Sequence, residues 1–216
     1  MGYIMSKQEM NVLVGAVTAA WTGSLVASLL GGAPTATPDD SAAVLATAAM
    51  RNVGLQSFTF HADVAMAMRH FPWLHFHIEG TGDYKRNDHY VLTLGNGLPF
   101  ASGVHQIDLS MIDPSMWPHR YRYRDAGEQN GDSIFTLAPI TNLSLKTATV
   151  AVSPVSGAQW VDADYTDGTH IHMTVNSDDV QGFLLPATLS AEVDRPHMPL
   201  SADATFEDYA IDSSTR

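Results

Sequence analysis

The sequence predicts a mainly β fold with a few helices (α+β), organised on one large curved antiparallel sheet or barrel. Three observations carry that expectation. Segments of alternating apolar and polar residues recur at roughly 8 to 12-residue intervals, with no helical pattern between most of them. Their apolar faces are rich in Phe, Met, Leu and Val, more surface than one or two helices can cover, so the sheet must curl around them. The third is the stretch Gln159–Val175, where two alternating runs flank Thr166-Asp167-Gly168. A three-residue loop with Gly168 in the left-handed position puts Val161, Ala163 and Tyr165 on one face with Ile171, Met173 and Val175. Trp160, Asp162 and Asp164 then share the other face with His170 and His172. A two-residue Asp-Gly turn would set the aspartates beside Ile171 and Met173, which one-sided burial resists.

With 216 residues the chain is long enough for one well-buried domain, and too short for two once a targeting segment is set aside. Hydrophobic residues make up 45% and charged residues only 16%. The net charge of -12 argues against nucleic acid, whose phosphates need a basic footprint, and against a basic face for anionic lipid headgroups. Zero cysteines exclude disulfides, thiolate catalysis, cysteine metal sites and cysteine lipidation.

The chain opens with a short charged lead, the apolar run Val12–Leu30 and the small residues Gly31-Gly32-Ala33, which is the order of an export signal. The run also approaches the ~20 residues of a bilayer-spanning helix, so an uncleaved anchor fits, with a buried soluble helix as the third reading. Residues 1–36 are therefore read as a signal peptide or N-terminal membrane anchor with linker, and residues 37–216 as a single domain. Asp39-Asp40-Ser41 cap a helix running to about Asn52, with Val44, Leu45, Ala48 and Ala49 as its apolar stripe and Gly54 as its stop.

From Leu55 the period becomes two. Phe58, Phe60, Ala62, Val64, Met66 and Met68 share one face; Leu74, Phe76 and Ile78 alternate with His75, His77 and Glu79; Tyr90, Leu92 and Leu94 continue the rule. These are three strands, with joints expected at Pro72 and at Gly80-Thr81-Gly82-Asp83. Val104, Ile107 and Met111 recur at helical spacing, which predicts a short amphipathic helix before Pro114. In the loop 114–121 that follows, Trp117 and Tyr121 either shield an opening or pack as an ordinary connection. Ile134–Ile140, Leu145–Val152, Phe183–Asp194 and Met198–Ile211 supply the remaining strands, with Pro186 and Pro196 at edges or turns.

Motifs of hydrolases, zinc proteases and nucleotide enzymes are absent, no cofactor signature is present, and the reading is non-enzymatic. Asp178-Asp179 is read as a turn rather than a pair of acids, and Asn142-Leu143-Ser144 matches a glycosylation acceptor. His170 and His172, opposite Asp164 and Asp162, are candidate metal ligands or a solvated face with weak cross-strand pairs. The apolar faces weigh more. A sheet curled far enough leaves a cavity, whose wall Met66, Met68 and Met173 would make adaptable; the other outcome is a solid core.

Three stretches, Asp164-Tyr165-Thr166-Asp167-Gly168 leading into Ile171, Gly182-Phe183-Leu184-Leu185-Pro186 and Phe206-Glu207-Asp208-Tyr209, follow an export signal, a first helix and a long sheet with a mid-chain insertion. In this order they resemble the outer-membrane lipoprotein carrier (LolA-like) superfamily over about residues 40–211. That resemblance implies an incomplete barrel closed by helices, whose interior receives acyl chains of lipids or lipoproteins. Where the family often shows Arg-Pro near the start of a strand, this chain has Arg86-Asn87. Lacking an anchoring cysteine, it resembles the soluble carriers more than the anchored receptors.

The expectation is thus a carrier exported to the periplasm or cell envelope, or tethered there by its N-terminal helix. Its ligand would be lipid or lipoprotein acyl chains, with membrane donor and acceptor proteins as partners and no nucleic acid. The cavity lining expected is Phe58, Phe60, Val64, Met66, Leu74, Phe76, Ile78, Leu92, Val161, Ile171 and Met173. Arg86, Val104, Ile107, Met111, Trp117 and Tyr121 are the expected rim or lid. Two rivals are an envelope scaffold or adaptor with a filled core, and a metal-binding protein built on His170, His172, Asp162 and Asp164.

Overall fold

A computed structural model describes residues 38–95, 105–141, 144–195 and 199–213. The export or anchor segment, Val104, the Asn142-Leu143 part of the glycosylation match, Pro196 and Met198 lie outside them.

Helix α1 (Pro38–Met50) follows from its alanine-rich sequence. It buries Ser41, Leu45 and Ala48, with Val44 and Ala49 half-buried beside them. Gly54, at a φ of 94° that a side chain resists, turns the chain away after it. The Asn52 amide then pins this end to a strand backbone, donating to the Leu184 carbonyl and accepting from the Leu184 N–H, both at 2.9 Å.

The remaining regular structure is almost entirely strand: β1 (Leu55–Met68), β2 (Phe71–Lys85), β3 (His89–Leu94), β4 (His105–Asp108), β5 (Tyr121–Gln129), β6 (Asp132–Pro139), β7 (Leu145–Ser153), β8 (Gly157–Tyr165), β9 (His170–Val180), β10 (Phe183–Asp194) and β11 (Leu200–Ser213). They form one antiparallel sheet in the order β4-β3-β2-β1-β11-β10-β9-β8-β7-β6-β5. The sheet is open, since β4 and β5 are its two edges. The chain nevertheless passes directly from one edge to the other, through 3-10 turns at Ser110–Ile112 and Pro114–Met116 and the one-turn helix α2 (Trp117–Arg120). Met111, Ile112, Met116 and Trp117 of this bridge join the same apolar core as the inner face of the sheet.

The central hairpin has the expected register: Asp164 faces His170, Ala163 faces Ile171, Asp162 faces His172 and Val161 faces Met173. The Tyr165 N–H donates to the Thr169 carbonyl, enclosing Thr166-Asp167-Gly168, and Gly168 has a φ of 84°. In β1, Phe58, Phe60, Ala62, Val64, Met66 and Met68 are all buried, as alternation requires.

Four expectations are corrected. Gly80-Thr81-Gly82-Asp83 is not a joint; β2 runs straight through it, and the turn falls at Arg86-Asn87-Asp88. The glycine is there for packing, because a Cβ on Gly82 would lie 1.8 Å from the Phe60 ring. The segment read as an amphipathic helix is instead β4, which carries Ile107, followed by the 3-10 turn that carries Met111; a one-residue shift of period over so short a run separates the two. Part of the chain left without structure after Tyr121 is β5, an edge strand with only its first residue buried and therefore no alternation to read. Asp178-Asp179 belongs to β9, and the turn lies at Gln181-Gly182, both at positive φ. Pro186 sits inside β10 at a bulge, but β11 pairs with β10 only from Thr188 onward, so the proline occupies a local edge.

Candidate functional site

On the inner face one row of side chains crosses the sheet: Met66 on β1 pairs with Ala202 on β11, Ala202 with Ala191 on β10, and Ala191 with Met173 on β9. Two methyl groups thus stand where the flanking strands carry methionines. The missing volume is an apolar cavity of about 70 Å³. A water needs ~15 Å³, so the space equals roughly five. Polar atoms are nearly absent from its wall, and an apolar void of this kind stays dry.

The cavity also reports the curvature. Leu92 and Leu94 on β3 and Ile107 on β4 line it together with Ile171 and Met173 on β9. In a flat sheet β3 and β9 would lie ~24 Å apart at ~4.8 Å per strand, so the sheet curls until its two halves face each other.

Val64, Met66, Leu92, Ile171 and Met173 of the expected lining surround this cavity, with Ile107 of the expected rim. Phe58, Phe60, Ile78 and Val161 are buried in the core but do not line it, and Leu74 and Phe76 are half-buried on β2. Sequence reasoning did not place Leu94, Leu109, Leu189, Ala191, Ala202 or Phe206 in the lining. The Ala191–Ala202 pair had one available signal, small residues at apolar positions of two adjacent strands. Trp117 is fully buried and donates from its indole N–H to the Met111 carbonyl at 3.0 Å, and the Tyr121 and Ser110 hydroxyls are 2.8 Å apart. Trp117 packs in the bridge between the sheet edges, and Tyr121 opens β5 where the bridge ends. Arg86 is half-buried at the β2–β3 turn, its guanidinium 3.5 Å from the Leu55 carbonyl. Asn87 beside it has a φ of 62°, a conformation proline cannot adopt.

At the other end of the inner face an aromatic cluster fills the space. Phe58 stacks on Tyr84 at 4.6 Å, and both meet the Tyr90 ring edge-on, at 5.6 and 5.3 Å. Beside it lies a smaller cavity of about 30 Å³, lined by apolar walls and by Asn52, Tyr90, Asp113 and Ser177. Burial pushes the Tyr90 phenol well above its ordinary value and raises the Asp113 carboxyl as well.

On the outer face of the β8–β9 hairpin, His170 Nδ1 is 3.0 Å from Asp164 Oδ1 and His172 Nδ1 is 2.6 Å from Asp162 Oδ1. All four side chains are partly exposed. Among the described residues, no three His, Asp or Glu side chains converge as ligands for a metal ion. These are cross-strand pairs.

An open antiparallel sheet, curled around an apolar interior and bridged by short helices from edge to edge, defines a half-barrel. No family model and no curated protein sequence matches the chain. Solved structures do. It is similar to a LolA superfamily protein from Nitrosomonas europaea, with 12% identity and a TM-score of 0.55, over 81% of this chain and 94% of that one. A DUF1329 family protein from Desulfovibrio piger is similar at 12% identity and a TM-score of 0.55, over 82% and 95%. A domain described as an outer membrane lipoprotein-sorting protein, from Vibrio parahaemolyticus, is similar at 10% identity and a TM-score of 0.53, over 82% and 95%. The fold of this protein is LolA-like.

Proposed function

We propose that the protein is an exported, non-enzymatic carrier that holds lipid or lipoprotein acyl chains on the inner face of its half-barrel. The observation that carries this reading is the apolar cavity over Ala191 and Ala202, flanked by Met66 and Met173. Burying an acyl chain there is worth about 0.8 kcal/mol per methylene, so affinity needs no charged anchor. At about 70 Å³ the space admits only a short length of hydrocarbon as it stands. Longer chains would enter by rotamer changes of the unbranched methionines, which repack at low cost. The lipoprotein-sorting description of the similar Vibrio domain supports an envelope location and envelope partners for this chain.

The test is native mass spectrometry of the purified protein, followed by organic extraction. A stoichiometric adduct that extracts as lipid is expected, and Met66→Asp or Ile171→Asp should abolish it in protein that still folds. A bare mass, unchanged after incubation with envelope lipids, would overturn the carrier in favour of a scaffold with a filled core.

A further inference from the structure

The hairpin between β1 and β2 carries apolar surface that the core does not take up. Its turn is Arg69-His70, and just past it the ladder jumps from the pair Met68–Phe71 to the pair Ala67–His75, so Pro72, Trp73 and Leu74 bulge out of register. Bulges re-aim side chains. This one leaves Trp73 77% exposed, more than any other large apolar side chain among the described residues, with the Phe71 ring edge-on to it at 5.6 Å. Leu74 and Phe76 follow, both half-buried. Phe76 pairs with Met66, which lines the apolar cavity, so an apolar track runs from the hairpin tip to the cavity wall. The cavity lies toward the same end of the strands. Its wall includes Met66 near the end of β1, Ile171 near the start of β9, Val193 near the end of β10 and Leu200 at the start of β11.

The charges around the tip select its partner. Arg69 is the one Lys or Arg from Met66 to Tyr84, and its guanidinium is held by Glu192 at 2.5 Å and Asp194 at 3.1 Å. Two carboxylates around one cation, in a chain of net charge -12, leave no basic face for anionic headgroups. A tryptophan beside a phenylalanine suits a neutral bilayer, where such rings sit at the level of the headgroups. The backbone sets the depth. Among the described residues β3 pairs with β2 only from Gly80 onward, so the bulged stretch before it has N–H and C=O groups that need water. The tip therefore seats among headgroups and goes no deeper.

We propose that the β1–β2 hairpin tip, anchored by Trp73 and Phe71, docks on the surface of a neutral, zwitterionic bilayer and holds the cavity end of the half-barrel against it. This rests on the carrier reading, for which it supplies the surface where acyl chains are collected or delivered.

Trp21→Phe and Trp160→Phe in the full-length chain leave Trp73 and the buried Trp117 as emitters. On vesicles of brominated phosphatidylcholine the emission should shift to the blue and be quenched, and Trp73→Ser should remove both effects. The thermal midpoint should not change in that variant, because the side chain is mostly in water. Phosphatidylglycerol vesicles should quench less; stronger quenching there overturns the neutral surface. Loading of phosphatidylcholine is then followed by native mass spectrometry. Trp73→Ser should load as the parent does from detergent micelles but roughly tenfold more slowly from vesicles, the loss of one interfacial anchor. No quenching of Trp73, or equal rates from vesicles, overturns the docking surface and leaves the carrier standing. Loading from neither source, with quenching intact, overturns the carrier and leaves the docking surface standing.

Discussion

Ala191 and Ala202 face each other across the β10–β11 ladder, with Met66 and Met173 outside them in the same row. The cavity is thus a property of two side chains, and a single substitution can fill it. Ala202→Leu puts three further carbons into about 70 Å³ of empty apolar space. Cavity filling commonly stabilises by about 0.5–2 kcal/mol, so the thermal midpoint should hold or rise. Lipid loading should fall at least tenfold. A stabilised variant that loads normally would remove this cavity from the binding site.

Phe60 lies across Gly82 so closely that a Cβ there would meet three ring atoms. Phe60 also packs against Phe206 and Tyr209, at 5.3 and 5.5 Å, so the ring has no free direction in which to retreat. Gly82→Ala should destabilise by about 2 kcal/mol or more through overpacking. Phe60→Leu in the same chain should recover part of the loss, a coupling that urea titration of the four-member cycle would measure. Additive effects would mean that the two residues do not share this space.

The same glycine shows why part of the fold was hard to read in the sequence. Alternation over Phe58–Met68 and Val161–Val175 has one physical cause, one-sided burial, and it placed both strands and their register. Gly80-Thr81-Gly82-Asp83 has turn composition, but its glycines are set by a ring on the neighbouring strand, a non-local demand that no short window contains. β5 has one buried residue among nine, so it lacks the signal altogether. The site divides in the same way. Val64, Met66, Ile171 and Met173 were legible as apolar strand positions, whereas which apolar positions surround empty space depends on how far β3 curls toward β9.

The outer face of the β8–β9 hairpin should behave independently of the ligand. Asp162 contacts both His172 at 2.6 Å and His170 at 3.8 Å, yet all three are partly exposed. Exposed ion pairs contribute up to about 1 kcal/mol. Asp162→Asn should therefore cost less than that in a urea titration and leave lipid loading unchanged. A loading change beyond twofold would connect this face to the ligand.

Tyr84, Tyr90, Tyr121, Tyr165 and Tyr209 all have phenols held above the ordinary value, in each case chiefly by burial. A phenol whose folded pKa is raised stays protonated in the fold, while the unfolded chain releases its proton near pH ~10. The associated stability is complete below that pH and is lost as pH rises above it. With five such groups the loss is steep, since each contributes up to about 1.4 kcal/mol per pH unit. In an alkaline titration the tyrosinate absorbance of these five should appear in one cooperative step, together with loss of the near-ultraviolet circular dichroism. The other two of the seven tyrosines supply the remaining signal. Gradual ionisation of five or more before any loss of the folded spectrum would show that water reaches the inner face, which a dry acyl-chain site does not allow.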